Sequence, residues 1–160
     1  MTPELASPAA GRFQRVRTLD GHVSDMLASG YQRSATFRDL VDLLEGSDVI
    51  VHVERRPILT ETAFLHFVTH AGGSRYLRIT LDTKLTADVG VALLGHELQH
   101  ATEVALAPWV VDVATFGGLY RAIGHVSCDT PRRCFDTTAA VDAGRRVLIE
   151  LRGKRPAATD

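Results

Sequence analysis

Two histidines four residues apart, with a glutamate directly after the first, sit mid-chain in the stretch VALLGHELQHATEVA, residues 91–105. On a helix, residues i and i+4 lie one turn apart on the same face, so His96 and His100 project side by side. Two imidazole nitrogens so placed can meet one zinc ion at roughly 2.0–2.1 Å each. Glu97 follows His96 and leans over the same edge of the helix. In an HExxH arrangement this glutamate does not ligate. It takes a proton from the water that the metal makes acidic and later hands it to the leaving amine. The chemistry implied is metal-dependent hydrolysis; the plainer alternative is two core histidines satisfied by buried hydrogen bonds.

A catalytic zinc takes three protein ligands and keeps a fourth place open, so an acid must come from elsewhere. Glu103 shares the ligand face but lies a further turn along a straight helix. That distance suits a hydrogen bond to a ligand histidine better than a bond to the ion. Asp112 follows Pro108 and Trp109. Asp136 opens the last helical stretch in CFDTTAAVDAG, where its ordinary role would be the helix N-cap, and Asp142 lies inside that stretch. The small residues Ala139, Ala140, Ala143 and Gly144 would let this last helix approach another closely.

The elements that must position these groups follow from periodicity and punctuation. Short helices are predicted at 23–31 and 35–46, the second with Phe37, Leu40, Val41 and Leu44 at helical spacing and Gly46 as its stop. DVIVHVE, 48–54, alternates and is β-branched, so it reads as a strand that Pro57 ends. ETAFLHFVTH and RYLRITLD are further strands, joined by a Gly-Gly hairpin turn. An antiparallel meander of about three strands is the expectation. The motif helix then runs from a cap at Thr86 or Asp88 to Pro108, and its apolar character suggests a buried, central position. Two more helices are expected at about 110–123 and 137–152, the last capped by Asp136 or Thr137. Helices, then an antiparallel sheet, then helices make an α+β domain. Its expected extent is residues 16–152, with a loose start over 1–15 and a tail over 153–160.

With these elements in place, HELQH on a long helix after a sheet resembles the zincin metallopeptidases. The longer string YLRITLD…ALLGHELQHATEVA…FDTTAAVDAGRRV resembles a group of small, uncharacterised bacterial zincin-like proteins. The likeness spans about residues 48–152, and His96-Glu97-x-x-His100 is its one specific motif. It implies a zinc hydrolase, with peptide bonds as the default substrate. The metzincin pattern has glycine and histidine where this chain has Glu103 and Leu106, so that subclass is excluded. The aspzincin pattern would use Asp112, but the Gly-Thr pair before it is replaced here by Val-Val. The gluzincin pattern takes an acid from the next helix packed on the motif helix. That makes Asp136 the preferred third ligand, an aspartate where that group has glutamate, with Glu103 as the alternative. Zincins also often place a Tyr or His to stabilise the oxyanion, a role open to Tyr120 or His125.

The remaining signals bound the reading. At 160 residues, 45% apolar, the chain suits one domain with one core. A net charge of −1 gives no reason to expect nucleic acid or an anionic membrane as partner, and no apolar run is long enough to span a bilayer. The opening MTPELASPAAGRF lacks the apolar core of a secretory signal. Taken literally the chain is cytoplasmic; with a signal already removed it would be secreted or periplasmic. Cys128 and Cys134 suit either a local disulfide or two free thiols. Three strand histidines, His52, His66 and His70, raise a second metal cluster, but alternation alone accounts for their positions. RYLRITLD is the candidate sheet edge for aligning an extended peptide. The alternative to a peptidase is a zincin-like domain that binds metal or a partner protein without turnover.

Overall fold

The computed structural model describes residues 13–58, 62–127 and 135–153. Within them the chain runs β1 (Val16–Arg17), α1 (Gly21–Arg33), α2 (Ala35–Glu45), β2 (Val49–Arg56), β3 (Ala63–Ala71), β4 (Ser74–Asp82), α3 (Ala87–Ala105), α4 (Val113–Ile123), β5 (His125–Val126), β6 (Phe135–Asp136) and α5 (Thr138–Gly153). Helices and strands are mixed, as expected. The expected helices are all present, within two or three residues of their predicted ends. Their starts are set by side chains that accept backbone N–H groups: Asp20 for α1, Ser34 for α2 and Asp112 for α4. The hairpin turn is also as expected, with Gly72 and Gly73 at φ of 59° and 77°, a conformation that favours glycine.

The sheet is not the antiparallel meander. Its order is β1-β2-β4-β3, with β1 parallel to β2, β2 parallel to β4, and only β3 antiparallel to β4. The helical pair α1–α2 makes the crossover that parallel strands need. β2 ends beside Asp82 and β3 begins opposite Leu81, so the end of β2 and the start of β3 both lie at the C-terminal end of β4. Burial explains this order. β4 is buried at Leu77 and from Ile79 to Asp82, whereas β3 buries only Phe67. The strand rich in His and Thr therefore takes the edge, where one side meets water. RYLRITLD, expected as an edge, is central.

A bulge at Val68 changes the strand parity, since Phe67 pairs with Leu77 and Thr69 with Tyr76. His70 therefore stands opposite Arg75, on the other face from His66. His52 and His66 share a face but are separated by Arg78, so the three strand histidines form no cluster.

Val49, Val51 and Val53 of β2, Leu77, Ile79 and Leu81 of β4, and Phe67 of β3 turn to one face. They share one core with residues from all five described helices. α3 is its middle, with Leu94 and Leu98 fully buried. Arg75 fixes the far end of α3. This arginine is 2% exposed and donates to the carbonyls of Val104, Ala105, Ala107 and Val110, while Asp48 takes its other edge at 2.7 Å twice. α5 packs closely on α3. A Cβ at Gly95 would stand 2.9 Å from Val147, and one at Gly144 would stand 3.3 Å from both the Ala92 carbonyl and the His96 Cβ. The neighbour that Gly95 admits is thus the helix α5.

Residues 13–15, expected to be loose, are held. Glu45 accepts the backbone N–H groups of Gln14, Arg15 and Val16, and Phe13 packs on the Tyr31 ring. Residues 1–12, both cysteines and residues 154–160 lie outside the described residues. Among those described, no helix is long and apolar enough to cross a membrane.

Candidate metal centre

The middle of α3 presents His96 and His100 one turn apart, with ring centroids 4.9 Å apart. The two-residue ribbon β5–β6 brings Asp136 to them, just before α5 begins. Its Oδ1 lies 3.1 Å from His96 Nε2 and 3.2 Å from His100 Nε2. Among the described residues this trio is the group whose donor atoms converge for a metal, all within 4.8 Å of one another.

Asp136 is free to do this because it is not the helix cap. Thr137 is: its Oγ1 accepts the Ala140 N–H at 3.1 Å, while its own N–H donates to Asp136 Oδ1 at 2.8 Å. The Thr137 hydroxyl also donates to Glu103 Oε1. Glu103 Oε2 in turn meets His100 Nδ1 at 2.9 Å. Glu103 thus holds the ring nitrogen that faces away from Asp136 and does not reach the point where the Nε2 atoms converge. It sets which nitrogen of His100 is offered to an ion.

Electrostatics follow from this enclosure. Burial works against a charge on His100, yet the hydrogen bonds with Asp136 and Glu103 outweigh it and raise the imidazole to about 9. Burial also opposes ionisation of Asp136, but the contacts with His100 and His96 prevail and hold its carboxyl well below the usual carboxylate range. Without a metal, His100 is therefore an imidazolium between two carboxylates.

The donor set fits zinc. Two imidazole nitrogens and one carboxylate oxygen are ordinary zinc donors. Tetrahedral bonds of roughly 2.0–2.1 Å put neighbouring donors roughly 3.3 Å apart, close to the two separations between Asp136 and the histidines. The carboxylate behind His100 completes the pattern of a ligand histidine held from its far nitrogen.

The other candidates place no donor atom in this group. Glu97 is buried, at 6% exposure, and its charge acts on both His100 and Tyr120. Asp112 is occupied as the cap of α4 in a reciprocal pair with Thr115. Asp142 is exposed on α5, 3.9 Å from Arg145. Tyr120 is buried and donates its hydroxyl to the His100 carbonyl at 3.0 Å. Burial and the carboxylate of Glu103 push its phenol far above the ordinary value, so it stays protonated. His125 is exposed and stands opposite Asp136 in the ribbon. Sequence reasoning missed the part played by Thr137, which it weighed only as a cap; nothing in the residue pattern signals the bond to Glu103.

No family model, curated protein or solved structure matches the chain. What the centre does must be argued from its own atoms.

Proposed function

We propose that the protein is a zinc-dependent hydrolase, a metallopeptidase in which His96, His100 and Asp136 hold the ion and Glu97 is the general base. The observation that supports it is the meeting of both Nε2 atoms on one Asp136 oxygen, with a buried glutamate next in sequence to His96. A zinc ion held there would act as a Lewis acid, making water acidic near neutral pH and polarising a substrate carbonyl. Glu97 would accept the proton of the attacking water and return it to the leaving nitrogen. Glu103 keeps Nε2 of His100 turned inward, and Thr137 keeps Glu103 in place. Tyr120 ties its hydroxyl to the main chain at His100, so it steadies the histidine's turn of helix rather than offering a hydroxyl to an oxyanion. Peptide bonds are the substrate class implied by the resemblance to zincins.

A second reading also has an observation in its favour. His100, Asp136, Glu103 and Thr137 satisfy one another without an ion. That arrangement suits a zincin-like domain that binds metal or a partner protein without turnover.

Glu97→Gln separates the two. In the hydrolase, the variant keeps one zinc by metal analysis and loses cleavage of fluorescein-labelled casein, while His96→Ala loses both. Equal cleavage by Glu97→Gln and the parent would sink the catalytic role. Zinc uptake with no cleavage by the parent would favour the binding domain, and no zinc uptake would dismiss the hydrolase and any metal-binding role.

A further inference from the structure

All strand residues of the common core have one parity, and all five described helices join that core, so the helical layer lies on one face of the sheet. The opposite face carries the other parity. Register sets Arg17, His52, Arg78 and His66 in one row across β1, β2, β4 and β3. With about 4.8 Å between strands, the row is roughly 14 Å long. Arg17 and His66 are exposed, and the Arg78 side chain is 42% exposed. Two more guanidinium groups border the row. Arg56 lies farther along β2, and Arg15 reaches over β2 to donate to Ser74 Oγ at 3.4 Å. The carboxylates here are Glu54, which pairs with Arg56 at 3.2 Å and Arg78 at 3.9 Å, and the nearly buried Asp82. Four arginines thus stand against two carboxylates, on a chain whose net charge is −1. The overall charge conceals this because the acidic surplus lies elsewhere.

Planar groups lie among these cations. Half-buried Tyr76 occupies the row next to Arg78, and Phe64 packs on His66 with ring centroids 4.6 Å apart. Cations in a line answer the phosphates of a backbone, and ring faces between them give bases something to stack on. An acidic polypeptide would use the cations and leave the rings without a matching group. We propose that this outer sheet face binds single-stranded nucleic acid laid across the strands. The inference stands apart from the metal centre.

The test uses the full chain and a fluorescein-labelled oligothymidine of about 20 nucleotides, read by anisotropy. Binding is expected at about 50 mM salt and should weaken at least tenfold by about 200 mM. Arg17→Glu should weaken it roughly tenfold, and Arg78→Glu likewise. Tyr76→Ala should cost roughly fivefold or more through lost stacking. Arg145→Glu, on the exposed side of α5, should change nothing. Should Arg78→Glu fail to fold, Arg17→Glu still decides, because its side chain is exposed. No binding at low salt overturns the proposal, as does equal weakening by Arg145→Glu. Labelled polyglutamate bound as tightly, with Arg17→Glu harmful and Tyr76→Ala harmless, assigns the face to acidic polypeptides and also overturns it.

Discussion

Thr137 carries three bonds at one position: its N–H to Asp136, its hydroxyl to Glu103, and the Ala140 N–H to that same hydroxyl. It links Asp136, the one acid of the candidate trio, to the carboxylate behind His100. Valine there would keep the shape and lose both hydroxyl bonds. We expect Thr137→Val to cost about 1 kcal/mol of stability for the lost cap. Zinc affinity should also fall about 10–100-fold as Glu103 loosens its hold on His100. Thr137→Ser should restore both, in urea titration and in competition with a chelating dye. Unchanged zinc affinity in the valine variant would show that the two carboxylates are set independently. His100 gives a second prediction. Its folded value of about 9 lies above the ordinary 6.5. In the zinc-free protein, the stability it contributes is fully present below pH 6.5 and is lost as pH rises through about 9. The unfolding midpoint of chelator-treated protein should fall across that window. Zinc affinity should rise across the same window, because binding must expel the proton on Nε2. A flat midpoint and a flat affinity would mean that His100 is neutral before the metal arrives.

Among the elements, α3 is held at its C-terminal end by Arg75 and along its side by α5. Arg75 is buried, and it reaches four carbonyls at the end of α3 and the turn after it; those of Val104 and Ala107 also accept backbone N–H groups, so those of Ala105 and Val110 depend on it most. Arg75→Ala would remove the guanidinium from the Ala105 and Val110 carbonyls and from Asp48. About 3 kcal/mol should be lost in urea denaturation, toward the lower end for a broken buried pair because Asp48 stays partly in water. A loss below about 1 kcal/mol would mean that water replaces the guanidinium there. At the α3–α5 contact, Gly95→Ala gains about 1 kcal/mol of helix propensity. It also forces a Cβ to 2.9 Å from Val147, which is fully buried and has nowhere to go. Overpacking of this kind costs about 1–3 kcal/mol, so we expect a net loss and a parting of the helices that carry the histidines and Asp136. Falling stability with falling zinc affinity is the expected pair of results; a stabilised variant would show that the interface has slack. These elements were largely legible in the sequence, because the helical spacing of Phe37, Leu40, Val41 and Leu44, the stop at Gly46 and the Gly72-Gly73 turn act locally. β1, β5 and β6 were not, since two residues show no period.

At the scale of the molecule, the sequence did not reveal that β2 lies parallel to β4 and that β3 returns on the far edge. Alternation reports which side chains face a core; it does not report which strand is the neighbour. The same gap hid the basic row, which exists only once four strands are in register. The candidate centre was legible where it is local, in the one-turn spacing of His96 and His100. The choice among Asp136, Glu103, Asp112 and Asp142 depended on how α5 meets α3, which no spacing encodes. On the proposed reading, that long-range closure would make the centre a device for stability as well as chemistry. An ion held by α3 and by Asp136 of β6 would join parts of the chain 36 residues apart, from His100 to Asp136. Such an ion has no matching site in the unfolded chain, so its binding energy adds to folding. At free zinc about 100 times its Kd, the gain should be about 2.7 kcal/mol. For a chain of this length, that is a rise in Tm of roughly 8 °C. Calorimetry with and without zinc measures it, and His96→Ala and Asp136→Asn should abolish most of the rise while Glu97→Gln leaves it intact. A rise that survives Asp136→Asn would move the third ligand elsewhere. No rise in any variant would leave the His96–Asp136–His100 group as an ion-free hydrogen-bonded core.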